Sequence, residues 1–69
     1  MAKGQIAMID HERGFGFIVP NDRGADVFVH VKALMNADEL HYGDRVSFEV
    51  EDDDRRGKLR AARVRVIKD

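Results

Sequence analysis

Apolar residues recur at every second position in several short stretches of the chain. Between Arg45 and Glu51, Val46, Phe48 and Val50 share one face while Ser47, Glu49 and Glu51 share the other. That alternation marks a strand with one face buried. Val27 and Val29 likewise oppose Asp26, Phe28 and His30, Val64 and Val66 oppose Arg63, Arg65 and Ile67, and Gly16 and Ile18 oppose Phe15 and Phe17. A first strand over Lys3–Ile9 completes five. Turn residues separate them: Pro20-Asn21-Asp22-Arg23-Gly24 between the second and third, and Asp52 to Gly57 between the fourth and fifth. Only the short stretch VKALMNADEL has a helical pattern. The prediction is an all-β fold, a five-stranded antiparallel closed barrel with one short helical turn after strand three. Closure also removes the strand edges that would otherwise aggregate.

The alternation assigns faces. If Ile18, Val27, Val29, Val46, Phe48, Val50, Val64 and Val66 fill the barrel, Phe15, Phe17 and Phe28 point outward, because a one-residue slip would flip every side chain. Phe48 shares parity with Val46 and Val50 and belongs to the core. Three outward phenylalanines on neighbouring strands form the kind of apolar patch that soluble monomers avoid. Arg13, Asp26, His30 and Lys32 rim it. Exposed ring faces beside cations suit unpaired nucleobases, since every base has a π-face. Gly14 and Gly16 would leave both faces of the rings open. The competing arrangement has residues 31–42 covering the rings.

Charge sharpens this picture. The 69 residues carry a net charge of −1, but residues 1–54 hold five Lys/Arg against twelve Asp/Glu, and residues 55–69 hold seven against one. Such asymmetry points either to a charged partner at the basic end or to a basic strand lying beside acidic ones. The length allows one domain, residues 1–69. There is no cysteine, so neither a disulfide framework nor a thiolate metal site is available. No apolar run is long enough to span a bilayer, and the first residues lack a signal-peptide pattern. The cytoplasm is the expected compartment.

Other chemistries fare poorly. His11, His30 and His41 show no metal-ligand spacing, and Asp52-Asp53-Asp54 lacks the ordered spacing of a calcium loop. The one serine, Ser47, lies mid-strand, no phosphate-cradling loop appears, and no carboxylate pair is placed for acid–base work. The chain is expected to be no enzyme, with no cofactor, metal or small-molecule substrate and no membrane partner. The run RRGKLRAARVRVIK reads as a last strand with an arginine-lined outer face, partly open to phosphate.

RGFGFIVP followed by DVFVH resembles the two ribonucleoprotein-type motifs of the bacterial cold-shock domain family. The likeness covers nearly the whole chain, including Gly4, YGDRVSFEVE and RAARVRVI. It implies an oligonucleotide-binding (OB-fold) barrel, base stacking by Phe15, Phe17, Phe28 and His30, and a phosphate or base-edge contact from Arg13, which stands where the family usually has Lys. Asp26 matches an acidic position beside the binding face. Lys32, Arg56 and Lys58 are further candidates for phosphate contact. Three places depart from the family. Ala7-Met8-Ile9-Asp10 stands where the family has Lys-Trp-Phe-Asn, Val31 replaces an aromatic, and the 34–42 loop offers only Met35 and Tyr42. Met8 remains as a soft apolar support. The resemblance implies low-specificity binding of single-stranded RNA or DNA and RNA-chaperone activity. A monomer is expected. The alternative is a protein-docking or weakly self-associating surface built from Met8, Ile9, Phe15, Phe17 and Phe28.

Overall fold

The computed structural model describes residues 2–53 and 58–67. Its strands are β1 (Ala2–Asp10), β2 (Phe15–Pro20), β3 (Val27–His30), β4 (Arg45–Asp53) and β5 (Lys58–Val66), with a 3-10 turn at Val31–Ala33 directly after β3. They close into a barrel in the order β1-β2-β3-β5-β4. The expected five-stranded barrel is the observed one, with one correction. β3 and β5 run parallel, Phe28 opposite Arg60, while the other described strand-to-strand pairings are antiparallel. Strand directions cannot alternate all the way round a ring with an odd number of members, so closure forces one parallel pair.

The interior is a single cluster of Ile6, Ile18, Val27, Val29, Leu40, Val46, Phe48, Ala61 and Val64. Val50 is not part of it: it is 45% exposed. The described pairing of β1 with β4 runs only as far as Ala2 opposite Phe48, so beyond Phe48 the inner side of β4 loses its neighbour and Val50 faces solvent. Val66, also expected inside, is half-buried and packs at the edge of the cluster. Leu40 was not expected there, because it is a lone leucine in a polar stretch. It enters the core from the segment joining β3 to β4, which is fastened along β5. Met35 N–H donates to Val64 O (2.9 Å), Asn36 Nδ2 donates to Val66 O (3.0 Å), and Val66 N–H returns a bond to Asn36 Oδ1 (2.9 Å).

Two bulges break the simple alternation. In β1, Ile6 pairs with Ile18 but Met8 pairs with Phe17, so Ala7 is an extra residue. Ile6 and Ile9 both turn inward, and Met8 turns out. In β5, Arg65 pairs with Ser47 but Ala62 pairs with Glu49, and the extra residue, Arg63, has φ 51°. Ala61 and Val64 both reach the core as a result. Bulges of this kind re-aim side chains without ending the strand. Gly16 makes the β1 bulge possible: a Cβ there would collide with the Met8 carbonyl and lie 3.1 Å from Ile9 Cδ1.

Chemical denaturation of two variants checks this division of the core. Phe48→Ala should lose about 3–5 kcal/mol, a large part of the roughly 3–10 kcal/mol a chain this size has. Val50→Ala should lose less than about 1 kcal/mol, as surface changes do.

Candidate nucleic-acid interface

β1, β2 and β3 lie side by side, and their registers gather the outward side chains into two rows. Met8, Phe17 and Phe28 form one, which continues to Arg60 on β5. Asp10, Phe15 and His30 form the other. Phe28 joins the rows: its ring centroid is 5.5 Å from that of Phe15 at 29° and 5.8 Å from that of Phe17 at 75°. Both separations are in the range of favourable aromatic pairs. The three phenylalanines therefore point outward, as the alternation requires, but they are half-buried rather than bare. Phe28 packs against both of the other two. Met8, at 41% exposure, extends the same surface.

The two glycines of the Gly-Phe-Gly-Phe run act differently from expectation. Gly16 is buried and faces β1, so it serves close strand approach rather than opening the rings. Gly14, with φ 74°, ends the β1–β2 turn, and its N–H donates to Asp10 O (2.8 Å). That turn presents Arg13, whose backbone N–H donates to Asp10 Oδ1 (3.0 Å) and whose Nε lies 4.0 Å from Asp10 Oδ2. The guanidinium is exposed and only loosely paired. His30 is held more firmly: its Nδ1 accepts from Lys32 N–H (3.1 Å). A neutral ring in that bond carries its proton on Nε2, the outer nitrogen, and so offers a donor. Lys32 projects from the 3-10 turn and is exposed, and Asp26 is exposed just before β3. Lys58 opens β5 opposite Asp53; Arg56 lies outside the described residues.

Arg60 and Arg63 were read from the sequence only as part of an outer face. In the structure they line a groove of about 470 Å³ between β3 and β5, together with Phe28, His30 and Lys32. Strand order was the missing information: nothing in the order of residues says that the last strand flanks the third. The histidines of the loops also meet. The ring centroids of His11 and His41 are 5.7 Å apart, His11 Nε2 donates to Leu40 O (2.7 Å), and His41 lies between Glu39 (3.5 Å) and Asp44 (3.6 Å). Among the described residues, no three His, Cys, Asp or Glu side chains are grouped to hold a metal ion.

A closed five-stranded barrel that displays clustered rings on adjacent strands beside exposed cations is the architecture of a single-stranded nucleic-acid-binding module. Residues 2–67 match the 'Cold-shock' DNA-binding domain, and the chain belongs to this cold-shock domain family, whose members bind nucleic acid and are not enzymes. It is 43% identical over 63 residues to a probable cold shock protein, y4cH, of Sinorhizobium fredii, covering 88% of this chain and 91% of that one. It is 46% identical over 54 residues to the major cold shock protein of Micrococcus luteus, covering 75% and 81%. In three dimensions it resembles the drosophila Unr CSD456 structure with a TM-score of 0.80 and 28% identity, over 97% of this chain and 26% of that longer one. Among the described residues, no helix is long and apolar enough to cross a membrane.

If the rings support one another, Phe28→Ala should lower stability by about 1–3 kcal/mol, less than Phe48→Ala. Thermal unfolding of the two variants side by side checks the order.

Proposed function

We propose that this barrel, acting as a monomer in the cytoplasm, binds single-stranded RNA or DNA with modest affinity and low sequence specificity and so serves as an RNA chaperone. The observation that carries the reading is the continuous row Met8–Phe17–Phe28, joined through Phe28 to Phe15 and backed by His30. Phe15, Phe17, Phe28 and His30 stack bases, Met8 supports a base edge, and Arg13, Lys32, Arg56 and Lys58 contact phosphate or base edges. Stacking contributes roughly 1–3 kcal/mol per base with little sequence preference, so this set supplies about 3–8 kcal/mol before ordering costs. A dissociation constant of about 1–100 μM follows.

Chaperone activity needs no cofactor. A ligand that binds only open strands shifts hairpins toward the open state by mass action. The competing reading, a docking or self-association surface, is weakened by one residue. Ile9, which that patch requires, turns inward and packs against the core.

Fluorescence anisotropy of a labelled, unstructured pyrimidine-rich oligonucleotide at two salt concentrations tests the proposal. Micromolar binding is expected, with log K falling against log salt at a slope of about −2 to −3 for three or four phosphate contacts. Phe15→Ala with Phe17→Ala should abolish binding while the barrel stays folded. Absence of binding to wild type at low salt would overturn the reading, as would association that ignores salt.

Met8→Trp gives an independent check in the other direction. It places a large ring opposite Phe17 and should tighten binding by about one stacked base, ~1–3 kcal/mol. No change in the same titration would put β1 off the path of the strand.

A further inference from the structure

We propose that the groove between β3 and β5 is a further subsite for one nucleotide of the bound single strand, beyond those stacked on Phe28 and His30, with its base over the Arg60 guanidinium and its phosphate on the edges of Arg60 and Arg63. The inference rests on the nucleic-acid reading above and extends the binding path across the parallel seam of the barrel.

The groove is continuous with the ring platform, since Phe28 and His30 form one wall of it. Its volume of about 470 Å³ falls in the range of pockets that hold small organic groups. The rest of the lining holds three cations, Lys32, Arg60 and Arg63, against one acid, Glu51, and the small side chains of Ala61 and Ala62 leave room beside them. Arg60 is placed by register, directly opposite Phe28. Guanidinium groups both stack on flat rings and bind phosphate with two parallel donors.

Arg63 supplies the second observation. Its φ of 51° is a left-handed conformation that favours glycine and disfavours a side chain with a Cβ. Strain of this kind collects where a side chain has to be aimed. Here the bulge turns Ala62 and Arg63 both outward, which brings to the groove a long cation that alternation continued from Ala61 would have sent into the core. Neither arginine is locked away. Arg60 Nη2 is 3.4 Å from Glu51 Oε1 and Arg63 Nε is 3.5 Å from Glu49 Oε2, and all four side chains are substantially exposed. Exposed pairs of this type are weak, so an incoming phosphate can displace either carboxylate.

Two unstructured pyrimidine oligonucleotides test the subsite, one of about four and one of about eight nucleotides, within the site sizes of such barrels. The ring platform alone accommodates the short one. For wild type the long one should bind more tightly by about 5- to 100-fold, the effect of at least one further stacked base. Arg60→Ala with Arg63→Gly should remove most of that gain and leave the short oligonucleotide nearly unaffected. Glu51→Gln, which releases Arg60, should tighten the long one selectively. Arg23→Ala with Arg65→Ala removes two charges from outside the groove and should weaken both lengths alike. Arg63→Gly should melt no lower than wild type, because glycine accepts the bulge conformation. Arg60→Ala alone, at an exposed side chain, should show the same selectivity, so the test does not depend on the bulge variant. If length brings no gain, or the groove variants weaken both lengths equally, the subsite is overturned and the ring platform stands. If neither oligonucleotide binds wild type, the platform and the subsite fall together.

Discussion

A barrel this small has one layer of side chains inside, and closing five strands around that layer without a gap is the condition on which everything else rests. Protein interiors are packed like crystals, so each inward position must be filled by a side chain of suitable volume. Strict alternation does not deliver this at two places. In β1 and again in β5 the chain inserts one residue, so that Ile6 and Ile9, and Ala61 and Val64, all turn to the core. The residues displaced outward by those insertions, Met8 and Arg63, lie at opposite ends of one surface. The needs of the interior thereby shape the exterior.

That surface combines weak electrostatics with a well-ordered apolar centre. The rings of Phe15, Phe17 and Phe28 fix one another, so little rotational freedom remains to be lost when a base settles on them. The cations around them are mostly accompanied: Arg13 by Asp10, Arg60 by Glu51, Arg63 by Glu49. A net charge of −1 with paired arginines gives local attraction without a long-range field. On the proposed reading, such a surface engages open strands through stacking and releases them easily.

Much of this was legible in the residue order. Val27, Val29, Val46, Phe48 and Val64 announced the core by a period of two, and the same period sent Phe15, Phe17 and Phe28 outward. What escaped has a physical cause in each case. The parallel β3–β5 pair follows from closing an odd ring, which no local pattern expresses. Val50 has the parity of a core residue but sits past the end of its neighbour strand. Leu40 belongs to no periodic run, and its segment is held against β5 by the hydrogen bonds of Met35 and of the Asn36 side chain. The roles of Arg60 and Arg63 depend on which strand lies beside β3, a relation between residues about thirty positions apart in the chain.

The parallel pair has one more consequence, and it concerns how the barrel opens. Four to six residues separate β1 from β2 and β2 from β3, and four separate β4 from β5, so these pairings form between near neighbours in the chain. Two junctions join distant segments: β1–β4, through the four described pairs from Ala2 opposite Phe48 to Gln5 opposite Arg45, and β3–β5, through a short ladder at Phe28 and Arg60 with Leu34 opposite Val64 beyond it. Distant contacts carry the larger loop-closure entropy, and a short ladder returns little for it. With fewer paired residues than β1–β4, the β3–β5 junction is the weaker of the two distant seams, the place where local opening is expected to start. The groove lies directly across it. In the proposed mode of binding, a strand running from the rings of β2 and β3 to the arginines of β5 would bridge this seam, so that occupancy favours the closed barrel by mass action.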